Sequence, residues 1–166
     1  MQNIEIKLEL RDPELARAIL AAIGAKHIGD FRQTDTYYKV AAGRLKKRET
    51  EGHPPEWIHY ERSDDARPRP SRFTIYSEEA AAAHFGPGPF PVRTVVHKTR
   101  ELYLDGQTRV HLDDVEGLGR FLEIEALITR DSPAEKARAA VTSLLDSLRP
   151  ALGEPIAVGY ADMLEG

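Results

Sequence analysis

The chain has 166 residues, a formal net charge of -4 and no cysteine. The length suits one domain with a real core, and the lack of cysteine excludes disulfides and thiolate chemistry. A mildly acidic chain is also a poor candidate for non-specific DNA binding, which needs many lysines and arginines against phosphates. No apolar run approaches the roughly 20 residues of a membrane-spanning helix, and the charged N-terminus lacks the layout of a signal peptide. We therefore expect a single cytoplasmic domain, residues 1–166, that binds neither DNA nor membranes.

Three segments carry the signals of helices. Each begins after a residue that can cap a helix, and the first and third also have proline at an early position. Apolar residues at helical spacing follow in the first and third segments. The predicted helices begin after Asp12, Ser77 and Ser132, and they end near Gly24, Phe85 and Pro150. For the third helix, the run from Ser132 to Glu135 has the spacing of a capping box.

The segments between these helices show the period-two alternation that is typical of β-strands. Turn sequences such as Asp105-Gly106 join several of them as hairpins. We predict strands near 3–10, 34–40, 44–50, 56–63, 71–76, 94–104, 107–113 and 121–128. Eight strands joined largely as hairpins favour an antiparallel sheet that closes into a β-barrel. The predicted fold class is therefore α+β, an eight-stranded antiparallel barrel with helices packed on its outside.

Charged residues lie on one face of several predicted strands. Alternate side chains of a strand point to opposite faces, so Ile4 and Ile6 lie opposite Glu5 and Lys7 in the first strand. Other faces carry mainly one sign of charge: Arg44, Lys46 and Arg48; Lys98 and Arg100; Glu123 and Glu125. Two interpretations remain open. These faces are either solvated surfaces or parts of a shared interior that holds anions and a cation.

Binding of a phosphate chain would require such a set of charges. Lysine and arginine side chains from several strands can grip a flexible triphosphate, and Mg²⁺ or Mn²⁺ takes carboxylate oxygens together with water and phosphate oxygens. The candidate phosphate-binding residues are Lys7, Lys46, Arg48, Lys98, Arg100 and Arg109. The candidate metal ligands are Glu5, Asp113, Glu123 and Glu125, and the candidate catalytic residues are Glu5, Lys7, Glu123 and Glu125. His111 shares a face with Asp113, which leaves an acid–base role open for it.

Several segments form an ordered set of motifs along nearly the whole chain. They are Asn3–Lys7, Gln33–Tyr38, Arg44–Arg48, Lys98–Arg100, Leu112–Glu125 and Gly159–Leu164. In this order they resemble the CYTH family, or triphosphate tunnel metalloenzymes, and most closely its branch similar to class IV adenylyl cyclases. Each motif alone is weak, whereas the ordered set is specific.

The resemblance implies a barrel that forms a tunnel for a triphosphate such as ATP, thiamine triphosphate or tripolyphosphate. It also implies two positions for Mg²⁺ or Mn²⁺, with the four candidate carboxylates as ligands and the basic residues as phosphate contacts. Two reactions stay open. A cyclase converts ATP to cyclic AMP and pyrophosphate, and a triphosphatase transfers a phosphate to water. A homodimer is also open, because dimers are plausible in the cyclase-like branch.

Two positions depart from the pattern of the family. Asn3 stands where the first glutamate is usual, so one metal position should be weaker. A non-catalytic domain that binds nucleotides or polyphosphate therefore remains an alternative to an enzyme, and an interaction domain with solvated charges is a third. Tyr60-Glu61-Arg62 stands where relatives often have tyrosine and lysine. We expect Arg62 to face inward as a phosphate contact, whereas the opposite register would point Glu61 inward and oppose phosphate binding.

Overall fold

The computed structural model describes residues 1–166 and contains nine strands and four α-helices. The strands are β1 (Gln2–Leu10), β2 (Lys26–Tyr38), β3 (Arg44–Thr50), β4 (Glu56–Arg62), β5 (Arg69–Ser77), β6 (Val92–Asp105), β7 (Thr108–Val115), β8 (Gly119–Ile128) and β9 (Leu152–Pro155). The helices are α1 (Pro13–Ala22), α2 (Glu78–Phe85), α3 (Ala134–Leu148) and α4 (Tyr160–Glu165), with a 3₁₀ turn at Arg149–Ala151. None of these helices combines the length and the apolar character needed to cross a bilayer.

Strands β1 to β8 form a closed antiparallel barrel. The sheet order is β5-β4-β3-β2-β6-β7-β8-β1, and pairing of β1 with β5 closes it. One edge of β1 is divided between two partners, because Gln2 to Glu5 pair with β5 and Leu8 to Leu10 pair with β9. The other edge of β1 pairs with β8. The predicted fold class, a closed eight-stranded antiparallel barrel with helices outside, is confirmed.

The apolar faces of the strands point outward, against the helices. Ile4 of β1 belongs to a buried core cluster that also contains Leu20 of α1 and Val141 of α3. A smaller cluster joins Trp57 of β4 to Ala81 of α2. Because side chains alternate along a strand, the charged faces of the same strands point into the barrel. The charged faces therefore line a shared interior rather than a solvated outer surface.

Helix α4 fills one end of the barrel. Two of its residues pack with inward-facing strand residues in an apolar cluster, none of whose members is more than 5% exposed: Tyr37, Val96, Val115, Phe121, Tyr160 and Ala161. On the surface, Arg93 of β6 binds the carboxylates of Asp162 and Glu165. The polar cavity of the barrel therefore begins at Tyr160 and extends toward the opposite end.

Four local features differ from the sequence prediction. Strand β2 begins at Lys26 rather than near 34, because its residues before Gln33 pair only with β6 and lack a clear alternation. Strand β9 and helix α4 were not predicted, since elements of four and six residues are too short for a periodic pattern. The predicted capping box of α3 is wrong. Pro133 is the N-cap and no side chain caps the helix, so Ser132 lies one residue too early.

Candidate active site

The barrel encloses a cavity of about 630 Å³. All eight barrel strands contribute side chains to its wall, and Tyr160 of α4 lies at its inner end. The cavity brings together every predicted site residue except Asp113: Glu5, Lys7, Lys46, Arg48, Arg62, Lys98, Arg100, Arg109, Glu123 and Glu125. The charged faces of separate strands thus line a single cavity.

The wall of the cavity carries more positive than negative charge, although the chain is acidic overall. Seven lysine or arginine side chains and four glutamates line it. Such an excess of cations inside a low-dielectric wall attracts a polyanion. The buried cations also need partners when no anion is bound, and the structure shows where those partners lie.

Asp35 of β2 is the partner of the basic cluster, and sequence analysis gave it no role. Its side chain is fully buried, and Arg48 donates a hydrogen bond of 2.8 Å to each of its two oxygens. The Nζ of Lys98 lies 2.6 Å from the same carboxylate, and the Nζ of Lys46 lies 3.6 Å away. Burial would raise the pKa of Asp35, but these three cations hold it well below its usual range. Alternation from Gln33 would have placed Asp35 on the inner face.

Two lysines beside Asp35 lose part of their preference for the charged form. Burial, followed by the nearby Arg48, lowers the pKa of Lys46 to about 8. The same causes lower the pKa of Lys98. Asp35 offsets only part of this effect. An incoming polyanion would favour the charged forms of both lysines, so the cluster is suited to bind phosphate.

Asp113 lies behind the cavity wall rather than in it. The guanidinium of Arg100 donates hydrogen bonds of 2.7 and 2.8 Å to its two oxygens, and the hydroxyl of Tyr160 donates a third at 2.7 Å. These contacts orient Arg100 toward the cavity. The metal-binding role of Asp113 stays a prediction, and it would require the loss of these contacts.

Arg62 faces the cavity and pairs with Glu5. Its Nη1 lies 3.2 Å from Glu5 Oε1, whereas Glu61 points outward and is exposed. The predicted inward register of Arg62 is confirmed. Nearby, Asn3 is 7% exposed and its Oδ1 has no hydrogen-bond partner. The first strand therefore offers a glutamate that is already paired and an uncharged amide.

Lys7 lies against the aromatic ring at the inner end of the cavity. Its Nζ is 3.7 Å from the centroid of the Tyr160 ring, a distance typical of a cation–π contact. It forms no ion pair within 4.0 Å. Burial lowers the pKa of Lys7, although Glu123 acts in the opposite direction. Lys7 thus places an unpaired positive charge where an anion can approach it.

His111, Glu123 and Glu125 form a group of possible metal ligands. Their donor atoms all lie within 4.8 Å of one another. Burial would raise the pKa of Glu123, but Lys7 and Arg100 hold it well below its usual range. Burial and then Arg100 lower the pKa of His111 to about 3, so its imidazole is neutral near pH 7. Two carboxylates and a neutral imidazole fit a divalent cation such as Mg²⁺ or Mn²⁺.

The fold and the cavity together define an antiparallel β-barrel protein whose interior is lined by basic and acidic side chains. A model of the CYTH domain family matches residues 1–156, and the chain therefore belongs to the CYTH family. None of the curated proteins matches the chain.

Several solved structures share this fold. The PH1012 protein of Pyrococcus horikoshii is 23% identical, with a TM-score of 0.76 over 96% of this chain and 98% of that chain. A candidate adenylate cyclase of Vibrio parahaemolyticus is 16% identical, with a TM-score of 0.76 over 99% and 98%. The RNA triphosphatase Pct1 of S. pombe is 12% identical, with a TM-score of 0.53 over 92% and 84%. At these identities the likeness shows the fold alone, so the chemistry must be argued from the site.

Proposed function

We propose that this protein is a divalent-metal-dependent enzyme that cleaves a phosphoanhydride bond of a triphosphate inside the barrel. One observation carries the proposal. Glu123 and Glu125 face the same cavity as seven lysine and arginine side chains. A cation-rich wall alone would bind a polyanion, but carboxylates on the same wall would repel it. Their presence makes sense when a metal ion lies between the carboxylates and the phosphates.

The basic residues would fix the phosphate chain along the cavity. Lys46, Arg48 and Lys98 lie on one side around Asp35, which neutralises only one of their three charges. Lys7 lies at the inner end, and the exposed Arg109 lines the wall farther from it. Cations on several sides hold the chain in one orientation, which lowers the entropic part of the barrier.

On the opposite side, Glu123 and Glu125 would hold the metal, with Glu5 as a weaker contributor because it already pairs with Arg62. A bound Mg²⁺ or Mn²⁺ supplies charge neutralisation at the phosphates and activates an oxygen nucleophile. Arg100 is fixed by Asp113 and Tyr160 before substrate arrives. Its donors therefore need no reorganisation as negative charge shifts among the phosphate oxygens.

The site supports two reactions that differ in the nucleophile. Attack by water on a terminal phosphate gives triphosphatase activity, and attack by a ribose 3′-hydroxyl on the α-phosphate gives cyclic AMP and pyrophosphate. Away from Tyr160, the wall also carries apolar side chains, among them Phe31, Phe73 and Leu102. These offer a surface for a base or another organic group, and they favour a substituted triphosphate such as ATP over bare tripolyphosphate.

The test is turnover of ATP, GTP, thiamine triphosphate and tripolyphosphate with Mg²⁺ or Mn²⁺. Release of phosphate, pyrophosphate and cyclic nucleotide would be measured for wild type, Glu123→Ala and the control Glu116→Ala, whose side chain is exposed. We expect metal-dependent release that falls at least about a hundredfold in Glu123→Ala, in the range seen when a stabilising group is removed from an active site. The control should match wild type. No release from any substrate would refute the enzyme.

Asn3→Glu separates a weakened enzyme from a binding domain. The substitution adds a carboxylate to the cavity wall beside Glu5. A large gain in metal-dependent turnover would identify a metal site that Asn3 weakens. Absence of turnover before and after the change, with tripolyphosphate still raising the melting temperature, would instead favour a non-catalytic polyphosphate-binding domain.

A further inference from the structure

Glu125 lines the cavity and forms no ion pair with a lysine or arginine within 4.0 Å. Its side chain is 22% exposed, and the one basic group within 4.0 Å is His111, whose Nδ1 lies 3.9 Å from Glu125 Oε1. By contrast, Glu5 pairs with Arg62 and Glu123 contacts Arg100. Glu125 therefore differs from Glu5 and Glu123 in having no lysine or arginine within ion-pair distance, although Arg109 lies opposite it in the β7–β8 register.

The Nδ1 of His111 lies near the Glu125 carboxylate and has no hydrogen-bond partner. The residue is 4% exposed, and its Nδ1 is buried without any hydrogen-bond partner. Buried polar atoms are normally satisfied, so such an atom calls for a missing ligand, water or ion. At 3.9 Å, the separation from Glu125 is too long for a hydrogen bond. The two groups are nevertheless close enough to share a third partner.

The spacing of the three donors suits one ion between them. The donor atoms of His111, Glu123 and Glu125 lie within 4.8 Å of one another. Atoms that bind one ion at about 2.1 Å are roughly 3 Å apart when adjacent and roughly 4 Å apart when opposite. Small side-chain rotations would therefore bring the three donors onto a common ion.

The strands hold these donors in a fixed arrangement. His111 of β7 lies directly opposite Glu123 of β8 in the antiparallel register, and Glu125 follows two residues later on the same face. Side chains at such positions are close neighbours across a sheet. Donors on paired strands are positioned more precisely than donors on loops.

We propose that His111 is a ligand of the metal held by Glu123 and Glu125, and that it makes this site prefer Mn²⁺ over Mg²⁺. The inference rests on the proposed function only for the use of the metal with a triphosphate. Mg²⁺ favours an all-oxygen shell and gives up water reluctantly, whereas imidazole nitrogen suits the first-row transition ions. The metal position is thereby assigned to β7 and β8, with Glu5 of β1 directly opposite Glu125 in the β1–β8 register.

A change of one donor atom tests the preference. His111→Asn places an amide oxygen near the position of Nδ1, and His97→Asn is the matched control on the exposed face of β6. Binding of Mn²⁺ alone and Mg²⁺ alone would be measured by calorimetry without any triphosphate. We expect wild type to bind Mn²⁺ at least about tenfold more tightly than Mg²⁺. In His111→Asn this ratio should fall at least about fivefold, chiefly through weaker Mn²⁺ binding, and His97→Asn should keep the ratio of wild type.

Electron spin-echo spectroscopy of bound Mn²⁺ gives a direct second reading. The wild-type spectrum should show nitrogen modulation from a coordinated imidazole, and His111→Asn should lose it. A wild type that binds no Mn²⁺, a wild-type spectrum without nitrogen modulation, or an unchanged metal preference in a folded His111→Asn would each overturn the proposal. If His111→Asn does not fold, the wild-type spectrum decides alone. A nitrogen signal without turnover of any triphosphate would refute the enzyme and leave the metal site standing.

Discussion

The two fully buried aspartates of the barrel, Asp35 and Asp113, have different surroundings. Asp35 faces three cations, Arg48, Lys98 and Lys46. Asp113 faces one cation, Arg100, and the neutral hydroxyl of Tyr160. The first aspartate therefore lies in a region with surplus positive charge, and the second lies in a region that is already balanced.

This difference supports the proposal that the two sides of the cavity bind different ligands. Around Asp35, the surplus cations remain available to a phosphate chain. Near Asp113, the charge of Arg100 is balanced by that aspartate, and the adjacent carboxylates of Glu123 and Glu125 can take a metal ion. A buried carboxylate thus fixes its cations in place and also sets how much charge is left for a ligand.

We expect Asp35→Asn to cause the largest loss of stability among these variants, on the side of the cavity that is proposed to bind phosphate. Removal of this carboxylate leaves Arg48 and Lys98 buried without their partner, and loss of one member of a buried ion pair costs about 3–5 kcal/mol. Urea unfolding should show this loss, while Asp114→Asn, at an exposed position of β7, should change the free energy of unfolding little.

The pH dependence sharpens that test. The folded pKa of Asp35 is depressed, so its stabilising contribution is present above the unfolded pKa of about 3.9 and is lost as pH falls through the folded value. The gap between wild type and Asp35→Asn should therefore be the same at pH 7 and pH 5. A gap under about 1 kcal/mol, the typical net value of an ordinary hydrogen bond, would contradict the assigned role.

Tyr160→Phe should cause a smaller loss of stability, near Asp113. It removes the hydrogen bond to Asp113 but keeps the ring against Lys7 and the apolar cluster. Hydrogen bonds to charged groups contribute about 1.5–3 kcal/mol, so we expect a loss near 2 kcal/mol in thermal or urea unfolding. Tyr160→Leu should cost more, because the cation–π contact is lost as well. Equal stability of wild type and Tyr160→Phe would show that Arg100 alone satisfies Asp113.

The smallest effect should appear in binding at alkaline pH. The pKa of Lys46 is about 8 before an anion binds. Its charge is therefore largely lost by pH 9, and the affinity for tripolyphosphate should fall about fivefold between pH 7 and pH 9. Lys46→Arg keeps a charged group at this position. Calorimetry should then show a flatter profile for Lys46→Arg, and parallel profiles would remove Lys46 from the phosphate site.

Much of the site could be predicted because it depends on patterns within single strands. Alternation along each strand places Glu5 with Lys7 and Glu123 with Glu125, and an inward face then follows once the barrel closes. The same rule predicted that Arg62 rather than Glu61 faces inward. These predictions need only the identity and the phase of a strand, which the sequence carries.

The pairs inside the cavity could not be predicted in the same way. Asp35 and Arg48 are opposite each other in the β2–β3 register, while Lys98 reaches the same carboxylate from β6. Such contacts depend on which strands are neighbours and on their exact register. The sequence of a single strand does not reveal either. The contact of Tyr160 with Asp113 likewise depends on where a six-residue helix docks.

In strand β1, polar residues face into the barrel and apolar residues face outward, and this arrangement constrains how its sequence can change during evolution. Residues 3, 5 and 7 line the cavity, while Ile4 and Ile6 belong to the core beneath the helices. Selection therefore acts differently on alternate positions. The inward residues are constrained by ligand recognition, and the outward residues are constrained by folding. Replacements at the inward positions can alter the ligand without disturbing the packed layer. A deletion of one residue would exchange the two faces at once, so this strand can diverge readily by substitution but hardly at all by change of length.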